Sequence, residues 1–82
     1  MALALAALAA TLGCERRAQR FIDLTGIGTG ELRQRAADPV LLAALLRFLE
    51  AHEPDLVEMA EAVGCKPEQL VRARAELEEG SA

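Results

Sequence analysis

The stretch Asp38-Pro39-Val40-Leu41-Leu42-Ala43-Ala44-Leu45-Leu46-Arg47-Phe48-Leu49-Glu50 decides the fold. It is apolar without a break from Val40 to Leu46, and in the remainder only Arg47 and Glu50 interrupt. Asp followed by Pro reads as a helix start. The Asp38 carboxylate can accept an orphan backbone N–H, and proline fits the first turn, where its missing N–H would have had no partner. A helix apolar on every side is buried on most of them. The pattern therefore predicts a central helix over 39–51, with the apolar first helix as its partner.

Outward from this helix, glycine and proline punctuate the chain. Gly13, Gly26, Gly64 and Gly80 each follow an apolar-periodic or alanine-rich run, and Pro39, Pro54 and Pro67 each open one. Gly suits the position just past a helix and Pro the first turn. The expected helices are 2–12, 15–24, 30–37, 39–51, 55–63 and 67–79. Nothing alternates with period two and β-branched residues are scarce, so no strand is expected. Apolar stripes recur at helical spacing: Ala18, Phe21 and Ile22; Leu32 and Ala36; Leu56, Met59, Ala60 and Val63; Leu70, Ala73 and Leu77. The reading is an all-α compact bundle of five to six short helices in a single domain over 1–82, with its ordered core at 2–79.

Composition agrees. The 82 residues are 52% hydrophobic and 27% charged, with a net charge of −4 and only Phe21 and Phe48 aromatic. That rules out intrinsic disorder and disfavours a generic nucleic-acid binder. The apolar N-terminus resembles a lipoprotein leader at Thr11-Leu12-Gly13-Cys14. No Lys or Arg precedes it, however, and the run is short of the ~20 residues a membrane helix needs. A core helix, no membrane association and a cytoplasmic location are expected. Two cysteines, Cys14 and Cys65, make no disulfide framework, and with one histidine they cannot supply four Cys/His zinc ligands. No cofactor is expected.

A shift of 38 residues lays part of the chain on itself: Leu3, Ala6 and Leu8 on Leu41, Ala44 and Leu46, Gly26 on Gly64, Leu32 on Leu70, Ala37 on Ala75. Two similar halves, each containing a helix-turn-helix unit, could share one core. Their charges differ. Residues 1–38 hold five Arg and four acids, a net +1, whereas 39–82 hold four basic residues and nine acids, a net −5.

The segment Gly26-Ile27-Gly28-Thr29-Gly30 is not a dinucleotide fingerprint, because a helix precedes it and Glu31 stands where a third glycine is needed; it also lacks the Gly-Lys-Ser/Thr of a phosphate loop. It does resemble the hairpin of helix-hairpin-helix DNA-binding modules. Arg16, Arg17, Arg20, Arg33 and Arg35 flank Gly26 and Gly28. Such a hairpin can hold a phosphate on backbone N–H groups. The plainer reading is a helix stop at Gly26, a buried Ile27 and Thr29 capping the next helix. Residues 56–78 also read as a helix-turn-helix, with Ala60, Gly64 and Leu70 in register. Its second helix mixes Glu68, Gln69, Arg72, Glu76 and Glu79, and carboxylates repel phosphates.

Asp55, Glu58 and Glu61 repeat every three residues, which predicts a solvated acidic stripe suited to a basic partner. Arg74–Glu78 and Glu68–Arg72 have the spacing of surface ion pairs. His52 is expected to cap the end of the fourth helix, and Cys65 to be a small buried hydrophobe rather than a reactive thiol.

Taken together, the run from Ala4 to Leu77 resembles a family of small alphaproteobacterial proteins known only as a domain of unknown function. The resemblance rests on Ala4, Leu5, Ala7 and Leu8; Arg20-Phe21; Leu24-Thr25-Gly26; Glu31-Leu32-Arg33; Leu41-Leu42 and Phe48-Leu49; and Pro67-Glu68 leading into Ala73-Arg74. The chain lacks the Trp frequent in that family's first helix, and has Gly28-Thr29 where Asp-Pro is frequent. The resemblance implies an all-helical cytoplasmic domain and no reaction. The expected function is non-enzymatic protein–protein interaction or regulation, through a homodimer or an unknown protein partner, with Asp55, Glu58 and Glu61 as the candidate surface. The alternative is nucleic-acid binding through Arg16, Arg17, Arg20, Gly26, Gly28 and Arg33, or through the helix from Pro67.

Overall fold

Each expected break is made by a local backbone device. A computed structural model describes residues 2–80, and of Thr29 the backbone only. Six helices occupy it: α1 (Ala2–Leu12), α2 (Glu15–Thr25), α3 (Thr29–Gln34), α4 (Pro39–Glu50), α5 (Glu53–Val63) and α6 (Pro67–Gly80). No strand occurs among the described residues. Gly26 and Gly64 end α2 and α5 in the left-handed region, at φ 71° and 77°, where a side chain would be strained. Asp38 caps α4 as expected: its Oδ1 accepts the Val40 N–H at 2.9 Å.

Two boundaries differ from the sequence reading by more than one residue. The third helix stops at Gln34 rather than 37. Asp38 must stay extended ahead of Pro39 to cap α4, and the Arg35 guanidinium holds it there from Nε at 3.1 Å and Nη2 at 2.8 Å. The fifth helix starts at Glu53, with Pro54 inside its first turn.

All six helices feed one core. Leu41, Leu42, Leu45, Leu46 and Leu49 of α4 are at most 1% exposed, and Phe21, Leu32 and Leu70 are fully buried beside them. Alanine-rich α1 contributes Ala4, Ala7, Leu8 and Thr11. The Thr11 hydroxyl donates to the Ala7 carbonyl at 2.8 Å, so its burial strands no polar atom.

The expected pairing of α1 with α4 forms, but it is secondary. The broadest face of α4 lies on α6, and α1 runs mainly along α5. The longest helix, α6, brings Leu70, Val71, Ala73 and Leu77 to the core, whereas the small side chains of α1 fit several neighbours without dominating one. Charge reinforces the α4–α6 seam. Arg74 donates to Glu50 of α4 and, at 2.7 Å, to Glu78, which also accepts from Arg47. Arg74–Glu78 is the surface pair the spacing predicts, while Glu68 and Arg72 form no ion pair among the described residues.

Candidate functional site

Arg17 and Arg20 stand one turn apart on α2 and reach across to the first turn of α5. Arg17 Nε donates to Asp55 Oδ1 at 3.0 Å, and Arg20 Nη2 to Asp55 Oδ2 at 2.7 Å. Arg17 also donates to Glu58. His52 Nδ1 lies 3.8 Å from Asp55 Oδ2. The Arg20 guanidinium carbon sits 5.1 Å above the Phe48 ring, which meets Phe21 edge-on with centroids 5.3 Å apart. This is a charge clasp laid against an aromatic pair.

The clasp corrects the acidic stripe. Asp55 is only 4% exposed, so it does not belong to a solvated face with Glu58 and Glu61, which are exposed. A buried carboxylate needs partners, and the two arginines supply them. Burial alone pushes the Asp55 carboxyl up, but the hydrogen bonds from Arg20 and Arg17 outweigh it and hold the carboxyl below its usual range. The internal echo gains a physical meaning here. A shift of 38 carries Arg17 onto Asp55 and Arg20 onto Glu58. The Arg17–Asp55 pair then joins equivalent positions, and the shift exchanges the positions joined by Arg20–Asp55 and Arg17–Glu58.

The candidate nucleic-acid residues are split by the same clasp. Arg17 is largely buried and Arg20 exposed, both paired with Asp55, whereas Arg16 and Arg33 are exposed and form no ion pair among the described residues. Gly26 N–H bonds back to the Ile22 carbonyl at 2.7 Å, which closes α2. Gly28 is the extended residue that opens α3, so the expected N-cap at Thr29 moves one residue back; the Thr29 side chain lies outside the described residues. Ile27 is half-buried against the core.

His52 does not close α4. Ala51 takes that position and His52 precedes α5, because the chain turns immediately after Glu50. Burial pushes the Cys65 thiol up, opposite to the direction that activates a nucleophile.

Two surface features were not evident from spacing. One is an apolar strip on the outer side of α4. Its upper depression is lined by Arg20, Phe21, Leu24, Ala44, Phe48 and Ala51, among others, and its lower one by Val40, Ala43, Ala44, Arg47 and Glu78; Ala44 joins the two. Leu24 is 74% and Val40 63% exposed there. The uninterrupted apolar run of α4 hinted at more apolar surface than one core face could cover. The other feature is a groove of about 410 Å³ between the starts of α5 and α6, floored by Leu56, Val57, Pro67 and Val71 and edged by Glu50, Glu53 and Glu68. Its residues come from three helices and share no local pattern.

Among the described residues, no helix is long and apolar enough to cross a membrane. The family profile described as "Protein of unknown function (DUF3572)" matches residues 1–80. The chain belongs to that family. The DUF3572 description assigns no activity, so the site rests on its own geometry. No curated protein and no solved structure matches the chain.

Proposed function

We propose that this DUF3572 chain is a non-enzymatic protein-interaction module. One observation carries the reading: Val40 and Leu24 stand exposed at two shallow apolar depressions that share the partly exposed Ala44, on a helix whose opposite side is fully buried. A small domain gains nothing in its own core from Leu24 and Val40 at the surface; contiguous apolar surface of this kind marks contact with another protein or a second copy. The acidic C-terminal half biases encounter toward basic surfaces. The nucleic-acid alternative has less support, since Arg17 and Arg20 are both paired with Asp55, Arg17 is largely buried, and only Arg16 and Arg33 of its arginines are exposed without an ion pair among the described residues.

The test is a tagged pull-down from native lysate, divided into nuclease-treated and untreated halves. The expected result is a discrete protein retained in both halves and lost from a Leu24→Ser/Val40→Ser variant. Retained nucleic acid, or partners that vanish with nuclease, would transfer the reading to the exposed arginines.

A further inference from the structure

We infer that the α5–α6 groove docks a basic amphipathic helix of a partner protein; this rests on the interaction reading above and assigns it a second, charge-selective surface. The argument starts from how the groove is made. Gly64, in its left-handed conformation, ends α5, and the first turns of α6 share a groove with Glu53, Leu56 and Val57 of α5. The floor is aliphatic: Leu56 is nearly buried, Val57 is 38% exposed, and Pro67 and Val71 complete it. A floor of this kind takes one or two aliphatic side chains from an incoming helix, projected at i and i+4.

The rim decides what surrounds those side chains. Its charged residues are Glu50, Glu53 and Glu68, with no Lys or Arg among the lining residues. Glu50 is held by Arg74, but Glu53 and Glu68 form no ion pair among the described residues. An occupant with Lys or Arg flanking its aliphatic pair meets both carboxylates; an acidic occupant is repelled by both. The same rim argues against nucleic acid. In a helix-turn-helix reader the start of the second helix faces the major groove, and here that start carries Glu68 opposite Glu53. The two helices joined at Gly64 present the charge of a cation receptor.

The test uses the full chain. A displayed library of amphipathic helical peptides, with charged positions drawn equally from Lys, Arg, Glu and Asp, is selected on the wild type and on E53K/E68K. The expected outcome is enrichment of basic sequences on the wild type and of acidic ones on the variant. A synthetic basic winner should bind the E53K/E68K chain about tenfold more weakly or worse. The milder E53Q/E68Q, which keeps the shape of both side chains, should show a smaller loss, and Val57→Ser should weaken binding without changing the charge preference. Circular dichroism establishes that each variant is folded. Acidic or uncharged winners on the wild type, or no enrichment at all, would overturn the inference. Peptides that bind E53K/E68K as well as wild type would overturn the groove alone and leave the interaction reading standing. That reading itself falls only if the lysate experiment retains no protein through the α4 strip.

Discussion

The two halves of the chain, α1–α3 and α4–α6, follow one plan and produce different surfaces. In each, an apolar helix leads into a charged one that stops at a left-handed glycine, Gly26 at φ 71° and Gly64 at φ 77°, followed by a helix whose leucine, Leu32 or Leu70, is fully buried. The difference lies in the last helix. With six residues, α3 reaches the core through Leu32 alone, while α6, with 14, lies along α4 and is tied to it through Arg74. Charge follows the same division. The N-terminal half turns Arg17 and Arg20 inward to Asp55, and the C-terminal half keeps Glu53, Glu61 and Glu68 outward. A shared local plan fixes where helices stop; the length and charge of one element decide which half builds the core seam and which surface is left for partners.

The largest expected effect contrasts the equivalent leucines of the two leading helices. Leu46→Ala should cost about 4 kcal/mol, because Leu46 is fully buried on the central helix, and Leu8→Ala about 2 kcal/mol, because the other buried residues of its helix, Ala4, Ala7 and Thr11, are small. Urea unfolding measures both, and equal losses would break the claim that α4 dominates the core.

Next is the clasp. Asp55→Asn leaves Arg17 partly buried without its counter-charge and should cost about 3 kcal/mol, while Glu58→Gln, at an exposed carboxylate, should cost under about 1 kcal/mol. The pH profile carries the same signature. The folded Asp55 carboxyl titrates below its unfolded value, so its stabilisation is complete above the unfolded value near pH 4 and is lost as pH falls through the folded one. Between about pH 6 and about pH 3 the wild type should therefore lose more stability than Asp55→Asn. The variant keeps a residual slope from Asp38 and Glu78, which are also held low, chiefly by Arg35 and Arg47. Parallel profiles would remove Asp55 from the account.

Smaller effects sharpen the echo. Gly26→Ala and Gly64→Ala should each cost about 1–2 kcal/mol from left-handed strain alone, since open space surrounds both positions. Calorimetric Tm shifts of similar size would make the two turns physically equivalent. Asp38→Ala, which removes the cap on α4, should lower the Tm by less than either glycine substitution.

The helices were legible because their ends are written locally: Asp38-Pro39, Gly26, Gly64 and Pro67 act on the backbone within a turn. The clasp was not. Asp55, Glu58 and Glu61 have the spacing of a solvated stripe, and the arginines that bury Asp55 come from 35 and 38 residues away. The nearest local hint was Arg17 and Arg20 at i,i+3 beside the apolar Phe21, which places two cations at the edge of a core face.

The sequence by itself determined an all-helical chain, the positions of its turns, the buried run of α4 and the acidic bias of the second half, because each follows from backbone geometry, helical periodicity or charge within a short window. Only the tertiary structure decided that α6 covers more of α4 than α1 does, that Asp55 is buried while Glu53 and Glu68 face outward, and that three helices meet to form a groove. Those outcomes depend on how helices cross. The crossing is set by the summed fit of side chains from distant segments, which no local window contains.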